Sequence, residues 1–172
     1  MIVNKAYRYR IYPTTEQKMM FAKTFGCVRF IYNKMLSDRI DYYKETGQKL
    51  NNTPAQYKEE FPWLKEVDSL ALANAQMNLN KAYSHFWNDS QHFGKPRFKS
   101  KKNRRASYST NNQKGSVRIE GHKVKLPKVG WVKLCQHRPL PENSIIKTVT
   151  ISKTPSGKYY ISMLVEYENQ IL

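Results

Sequence analysis

The side chains that could do chemistry in this chain fall into two groups of unequal strength. The first is acidic. Close carboxylate pairs occur at Asp38/Asp41, Glu59/Glu60, Glu66/Asp68 and Glu166/Glu168, the kind of pairing that holds divalent metals for hydrolysis. Each pair falls on a predicted exposed helix face, a loop or a terminal strand, where carboxylates are ordinary solvated charges. His85 and His92 could share a metal only if one unbroken helix carried both. Cys27 and Cys135 are far apart in sequence. They make neither a zinc spacing nor a disulfide framework, which fits a reducing cytoplasm. There is no Ser-His-Asp or Cys-His arrangement with a local signature, and no glycine loop that would cradle a phosphate. No catalytic constellation emerges.

The second group is basic and far more coherent. The 172 residues include 30 Lys and Arg against 13 Asp and Glu, a formal net charge of +17. Between Gly94 and Arg138, 14 Lys or Arg stand against a single acid, Glu120. Phe98, Tyr108 and Trp131 lie among these cations. Cations for phosphates, with aromatic rings for bases, form the pattern of a nucleic-acid surface. A polyanionic partner would also relieve the self-repulsion of so charged a fold. A membrane is not the expected anion, because no apolar run approaches a spanning length and the N-terminus lacks a signal-like apolar segment. Hydrophobic content of 40% and aromatic content of 13% are enough for a buried core.

The elements that must position these residues follow from periodicity. Val3 to Ile11 alternates, with Val3, Tyr7, Tyr9 and Ile11 on one face and Asn4, Arg8 and Arg10 on the other, which predicts a half-buried strand with a cationic outer side. Pro13 ends it. Thr14 and Gln17 are spaced as a capping box, and a short helix should run to about Phe25. Gly26 is expected to break it before a second helix from about Val28 to Glu45, with Val28, Tyr32, Met35, Leu36, Ile40 and Tyr43 on one stripe and Gly47 as a stop. Two helices joined at a glycine suggest a helix-turn-helix, although most such pairs are core packing. A helical turn is expected around Gln56 to Glu60. Asp68 or Ser69 should cap a strong helix to about Trp87 that buries Leu72, Ala75, Leu79, Tyr83 and Phe86. The cluster Tyr83, Phe86, Trp87 reads as core.

After Gly94 the pattern becomes strand-like. Val117–Ile119 and Lys123–Leu126 flank a turn at Glu120-Gly121-His122. Trp131 to Cys135 is a further strand. Ile145–Ser152 and Tyr159–Tyr167 flank Thr154-Pro155-Ser156-Gly157. The lone first strand cannot stand by itself and should join the C-terminal sheet. The expected architecture is therefore α+β, a small β-barrel with a helical region inserted after its first strand.

Seven collinear segments carry a family resemblance: Asn4-Lys5-Ala6-Tyr7, Arg10-Ile11-Tyr12-Pro13, Gly26-Cys27-Val28-Arg29-Phe30-Ile31-Tyr32-Asn33, Trp63-Leu64-Lys65-Glu66-Val67-Asp68, Lys95-Pro96-Arg97-Phe98-Lys99, Lys125-Leu126-Pro127-Lys128-Val129-Gly130-Trp131-Val132-Lys133, and Ser156-Gly157-Lys158-Tyr159-Tyr160. In order and content they resemble the N-terminal part of TnpB (OrfB) proteins of bacterial insertion sequences, relatives of type V CRISPR effectors. The resemblance implies an oligonucleotide-binding-like wedge barrel at 1–12 and 105–172, and a helical recognition domain at 13–104. It also implies guide RNA and double-stranded DNA as partners, with sequence choice delegated to base pairing while protein cations hold backbone.

The same resemblance implies roles for residues. Arg8, Arg10, Lys95, Arg97, Phe98, Lys99, Lys101, Lys102, Arg104, Arg105, Arg118, Lys123, Lys125, Lys128, Trp131 and Lys133 would lie along nucleic acid. Asn52, Gln56, Ser69, Leu70, Ala73 and Thr110 occupy the places from which the family reads a short motif beside the target. Ser69, Leu70 and Ala73 are smaller or more apolar than in some relatives, which implies a different motif or none. The chain ends just before the point where the family's first RuvC metal-binding aspartate is due, and the family's CxxC zinc pairs lie further on. The expectation is a cytoplasmic, nucleoid-associated protein that binds without cutting, with no catalytic residue, metal site or cofactor of its own. Two other readings stand beside it: half of a nuclease completed in trans by a separate RuvC-containing chain, and a helix-turn-helix DNA-binding regulator.

Overall fold

A computed structural model describes residues 1–102 and 105–169. The fold is α+β and divides into two compact units, Met1–Ala22 with Arg104–Leu172, and Lys23–Asn103.

The first unit is a curled antiparallel half-barrel of seven strands. Its strands are β1 (Ile2–Tyr12), β2 (Ala106–Asn111), β3 (Arg118–Glu120), β4 (Lys123–Leu126), β5 (Gly130–Cys135), β6 (Ile145–Lys153) and β7 (Tyr159–Glu168), in the spatial order β2-β6-β7-β1-β5-β4-β3. The first strand does join the C-terminal sheet, and at its centre. It pairs with β7 from Ile2↔Glu168 to Ile11↔Tyr159 and with β5 from Arg10↔Cys135 to Tyr12↔Lys133. The alternation read from sequence sets the inner face: Tyr7, Tyr9 and Ile11 are buried with Val132, Leu134, Ile161, Met163 and Val165.

Two expectations fail in this unit. Six strands follow the basic stretch, where about five are expected from sequence, because β2 carries little local signal. Its sequence Ala-Ser-Tyr-Ser-Thr-Asn offers few strong strand formers, yet Tyr108 and Thr110 face inward and are buried. The sheet is also open, not a closed barrel. Among the described residues the edges β2 and β3 pair only with β6 and β4 respectively, and three-residue β3 is too short to extend the ladder. Asn112 secures that open corner with its side chain: Nδ2 donates to the Ile146 carbonyl at 2.9 Å, and Oδ1 accepts from the Val117 N–H at 3.0 Å.

The helix α1 (Thr15–Thr46) starts as expected. The Gln17 N–H donates to Thr14 Oγ1 at 3.2 Å, and the Thr14 N–H donates to Gln17 Oε1 at 2.9 Å. The same Gln17 donates through Nε2 to the Trp131 carbonyl at 2.7 Å, which ties the cap to β5. Phe21 then packs against Tyr159 and Tyr108, with ring centroids 5.8 and 6.3 Å apart. The expected break at Gly26 is absent. One helix of 32 residues runs straight through it, since a glycine weakens a helix by about 1 kcal/mol without forbidding it. The stop at Gly47 is as expected: its φ is 72° and its N–H donates to the Tyr43 carbonyl at 2.8 Å.

The helical unit holds the rest of α1, two 3-10 turns (Pro54–Tyr57 and Pro62–Glu66) and α2 (Ser69–Asn88). Asp68 caps α2 by accepting from the Leu70 N–H at 3.0 Å. Ile31, Met35, Leu36, Leu64, Leu72, Ala75 and Leu79 make the core. A polar knot lies beside it. The Tyr57 hydroxyl donates to Asp38 Oδ2 at 2.7 Å, Asn52 Nδ2 donates to that hydroxyl at 2.8 Å and to the Met35 carbonyl at 3.2 Å, and Arg39 Nε donates to Asn52 Oδ1 at 2.7 Å. Burial, helped by the hydrogen bond to Asp38, pushes the Tyr57 phenol up to about 12.

The continuous α1 has a direct test. Nothing lies within 4 Å of a Cβ added at Gly26, so Gly26→Ala should stabilise the protein by about 0.5–1 kcal/mol, read from the urea midpoint; destabilisation would indicate a break there. The polar knot has another. A phenol whose folded pKa lies above its unfolded value contributes stability that is present below pH ~10 and is lost as pH rises toward ~12. Alkaline unfolding curves should therefore fall less steeply across that window in Tyr57→Phe than in the parent chain, and superimposable pH profiles would contradict the assignment.

Candidate nucleic-acid interface

Because the side chains of a strand alternate, burying Tyr7, Tyr9 and Ile11 forces Arg8, Arg10 and Tyr12 to the outer face of β1. The neighbouring strands obey the same parity. Lys123 and Lys125 of β4, Trp131, Lys133 and Cys135 of β5, and Tyr160 of β7 all point outward, while Val124, Leu126, Val132, Leu134 and Tyr159 point in. The register then fixes who meets whom. Lys125 sits opposite Trp131 and Arg118, Lys133 opposite Tyr12 and Lys123, and Arg10 opposite Tyr160 and Cys135.

The result is a surface of cations laid over rings. The Arg8 guanidinium lies 4.0 Å from the Tyr160 ring centroid, Arg10 4.8 Å from Tyr12, Arg118 5.4 Å from Trp131 and Lys133 5.9 Å from Tyr12. Such contacts contribute about 0.5–1 kcal/mol each at exposed sites. Among the described residues, Glu120 alone forms an ion pair with this group, 3.6 Å from Arg118. Two details leave polar groups of this face uncompensated. Lys123 and Lys133 face each other directly across a ladder, a like-charge pairing that costs stability unless something neutralises it. Arg10 Nε is buried and has no acceptor among the described residues, an unmet donor that costs about 1–3 kcal/mol.

Lys128 sits at the exposed β4–β5 turn with φ 66°, and Arg105 is exposed just before β2. Tyr12 and Tyr160 are outward-facing rings that the sequence reading does not single out. Their signal is nevertheless present: Tyr12 and Tyr160 are even-numbered residues on strands whose odd positions are the apolar ones.

The remaining predicted cations belong to the helical unit. Lys95, Arg97, Phe98, Lys99, Lys101 and Lys102 lie in an exposed stretch without regular secondary structure, and Phe98 is 56% exposed. One side chain anchors this stretch. Asn33 of α1 donates through Nδ2 to the Lys99 carbonyl at 2.9 Å and accepts from the Lys99 N–H through Oδ1 at 2.7 Å. Although the residue as a whole is exposed, the Lys99 ammonium lies 4.5 Å from the Tyr32 ring centroid, and desolvation there pulls its pKa below the ordinary lysine value. Arg104 lies outside the described residues.

Several expected ligand groups face inward. Tyr108, expected to stack on a base, is buried beside Phe21. Thr110 is fully buried. Asn52 is buried and committed to Tyr57, Met35 and Arg39, so its amide edges have no surface from which to read a base. Gln56 and Ser69 are exposed, and Leu70 and Ala73 half-buried, at the 3-10 turn and the first turn of α2; the Gln56 side-chain Oε1 accepts from the Thr53 N–H at 3.2 Å. One acid in each of three of the four close pairs is engaged elsewhere: Asp38 with Tyr57 and Lys34, Glu66 with Lys23, and Glu166 with Lys147. His92 pairs with Asp89 at 2.9 Å, past the end of α2, and the His85 ring packs on Phe93. Among the described residues no three His, Cys, Asp or Glu side chains come together as a metal site requires, and no helix is long and apolar enough to cross a membrane.

Residues 1–48 match a family described as a helix-turn-helix domain of OrfB proteins of the IS605 type. In this chain those residues form β1, the continuous α1 and the start of the turn that follows. Two similar proteins bear the name "Putative RNA-guided DNA endonuclease". One, from Streptomyces pristinaespiralis, is 32% identical over 95% of this chain and 42% of its own length; the other, InsQ of Escherichia coli (strain K12), is 26% identical over 95% of this chain and 41% of its own length. The virulence protein VsdF of Salmonella dublin is 34% identical over 56% of this chain and 93% of its own length. The chain thus spans about two-fifths of the two endonuclease relatives. The collinear similarity across nearly all of its residues, with the matched N-terminal domain, makes the chain a member of the TnpB/OrfB family of insertion-sequence proteins.

Proposed function

We propose that this chain is a nucleic-acid-holding module of an RNA-guided DNA endonuclease system. The half-barrel acts as the wedge, the helical unit acts in recognition, and together they bind guide RNA and target DNA without hydrolysing either. The observation that carries this reading is the outer face of the sheet, where Arg8, Arg10, Arg118, Lys125 and Lys133 are arrayed with Tyr12, Trp131 and Tyr160, and where Lys123 opposes Lys133. Rings hold the cations at fixed positions, and phosphates would neutralise them. The names of the two longer relatives support the RNA-guided context.

The helix-turn-helix description of the matched family favours a second reading, a regulator that binds duplex DNA alone. Strong dependence of DNA binding on RNA would remove it.

The test is the salt dependence of oligonucleotide binding by the whole chain. Affinity should fall steeply with salt, and each cation withdrawn from a phosphate should reduce the slope of log K against log salt by about 0.7–0.9. Replacing Lys123, Lys125 and Lys133 together by alanine should flatten the slope by roughly two to three units; replacing Arg97, Lys99, Lys101 and Lys102 should flatten it by roughly three to four units for the stretch anchored by Asn33. An unchanged slope in the first set would take the sheet face off the interface.

A further inference from the structure

Between the C-terminal halves of α1 and α2 lies an open groove of about 720 Å³, wholly within the helical unit. The sequence pattern predicts core there, because Tyr83, Phe86 and Trp87 follow the buried stripe of α2. The stripe ends early. Trp87 is 46% exposed and Tyr43 is 48% exposed, and their rings meet at a tilt with centroids 6.2 Å apart. Two large rings left about half exposed side by side forgo part of the advantage of burial, and a ligand could cover what remains open.

The chemistry of the rim says what would. Arg39, Lys44, Lys49 and Lys95 line the groove, and among the described residues no carboxylate does. Lys49 already holds its ammonium over the Trp87 ring, 4.8 Å from the centroid, so a cation is fixed on the ring itself, next to the part left open for stacking. Asn51 and Asn80 add amide groups at the edge, and a primary amide offers both donors and an acceptor to the edge of a base. An apolar peptide would satisfy the rings and leave four cations unpaired. A duplex would satisfy the cations and keep its bases stacked away from the rings. A single strand satisfies both at once.

We infer that this groove receives an unpaired base of single-stranded RNA or DNA, stacked on Trp87 and Tyr43, with Lys44, Lys49 and Lys95 on the flanking phosphates. The inference rests on the nucleic-acid reading above and adds a site to it, separate from the sheet face. It also gives the exposed end of α2 a task that its burial pattern leaves open.

The experiment uses the whole chain and a short fluorescein-labelled oligonucleotide in three forms: single-stranded RNA, single-stranded DNA, and the DNA duplex of the same sequence. Trp87→Ala should weaken single-strand binding about tenfold and leave duplex binding unchanged, while Trp87→Phe should keep most of the affinity. Whichever single strand is weakened more identifies the preferred source of the base. Equal weakening on single strand and duplex, or none on either, overturns the site. Lys49→Glu combined with Lys95→Glu, both on the exposed rim, should likewise penalise the single strand more than the duplex, and decides the matter if Trp87→Ala fails to fold. A strand carrying 5-iodouridine should crosslink to the peptide bearing Trp87 or Tyr43; crosslinks confined to other peptides overturn the site. A parent chain that binds none of the three oligonucleotides removes this site together with the reading it rests on, whereas a parent chain that binds with Trp87 indifferent removes this site alone.

Discussion

The half-barrel depends on one long-range constraint, the insertion of the first strand between two strands from the far end of the chain. β1 pairs with β7 over ten consecutive positions, from Ile2↔Glu168 to Ile11↔Tyr159, and with β5 over its last three. Without it the sheet would separate into two three-stranded pieces, β2-β6-β7 and β5-β4-β3, each at the lower limit of what stands alone. Closing so long a loop costs only slowly growing entropy, because the cost rises with the logarithm of its length. The whole helical unit can therefore be carried between β1 and β2 at little thermodynamic expense. The kinetic consequence is larger, since pairings this distant in sequence are expected to form late and slowly.

The same strand governs the electrostatics. Once Tyr7, Tyr9 and Ile11 are buried, Arg8 and Arg10 have no alternative to the outer face, and a one-residue slip would invert both sets. Antiparallel register then places Tyr160, Lys133 and Tyr12 beside them. Each arginine rests on a ring instead of a carboxylate, so the positive charge is ordered but not cancelled. A protein with this much positive charge has many ways to scatter it. Here it is aligned on a ladder, with Lys123 against Lys133 accepted at a cost that an anion would reverse.

Much of this is legible in the residues in order. The alternation of β1, the Thr14–Gln17 capping box, the Asp68 cap, the Gly47 stop and both C-terminal hairpins all depend on contacts within a few positions, and all are found where local rules put them. The failures share a cause. Gly26 is a helix breaker by propensity, yet the flanking turns on both sides are anchored by buried residues (Phe21 and Phe25 before it, Val28 and Ile31 after it), and packing outweighs about 1 kcal/mol of propensity. β2 is weak in local signal and exists because Ile151 and Val149 of β6 offer it a ladder. Tyr108 reads as a ligand ring because cations surround it in sequence, although its parity on β2 sends it inward.

By itself the sequence determined that this chain is cationic beyond the needs of folding, that its first strand has one apolar and one basic side, and that its motifs belong to the TnpB/OrfB family. Those properties are written in composition and in short-range order. Only the tertiary structure decided which rings are core and which meet solvent. Tyr108, Thr110 and Asn52 were withdrawn from the surface, Tyr12 and Tyr160 were brought to it, and Trp87 with Tyr43 was left open at the end of a helix pair. The reason is that burial depends on what packs opposite, and the partners that settle it here, β6 for Tyr108 and Thr110, Tyr57 and Arg39 for Asn52, are fixed by the fold and not by the residues alongside in sequence.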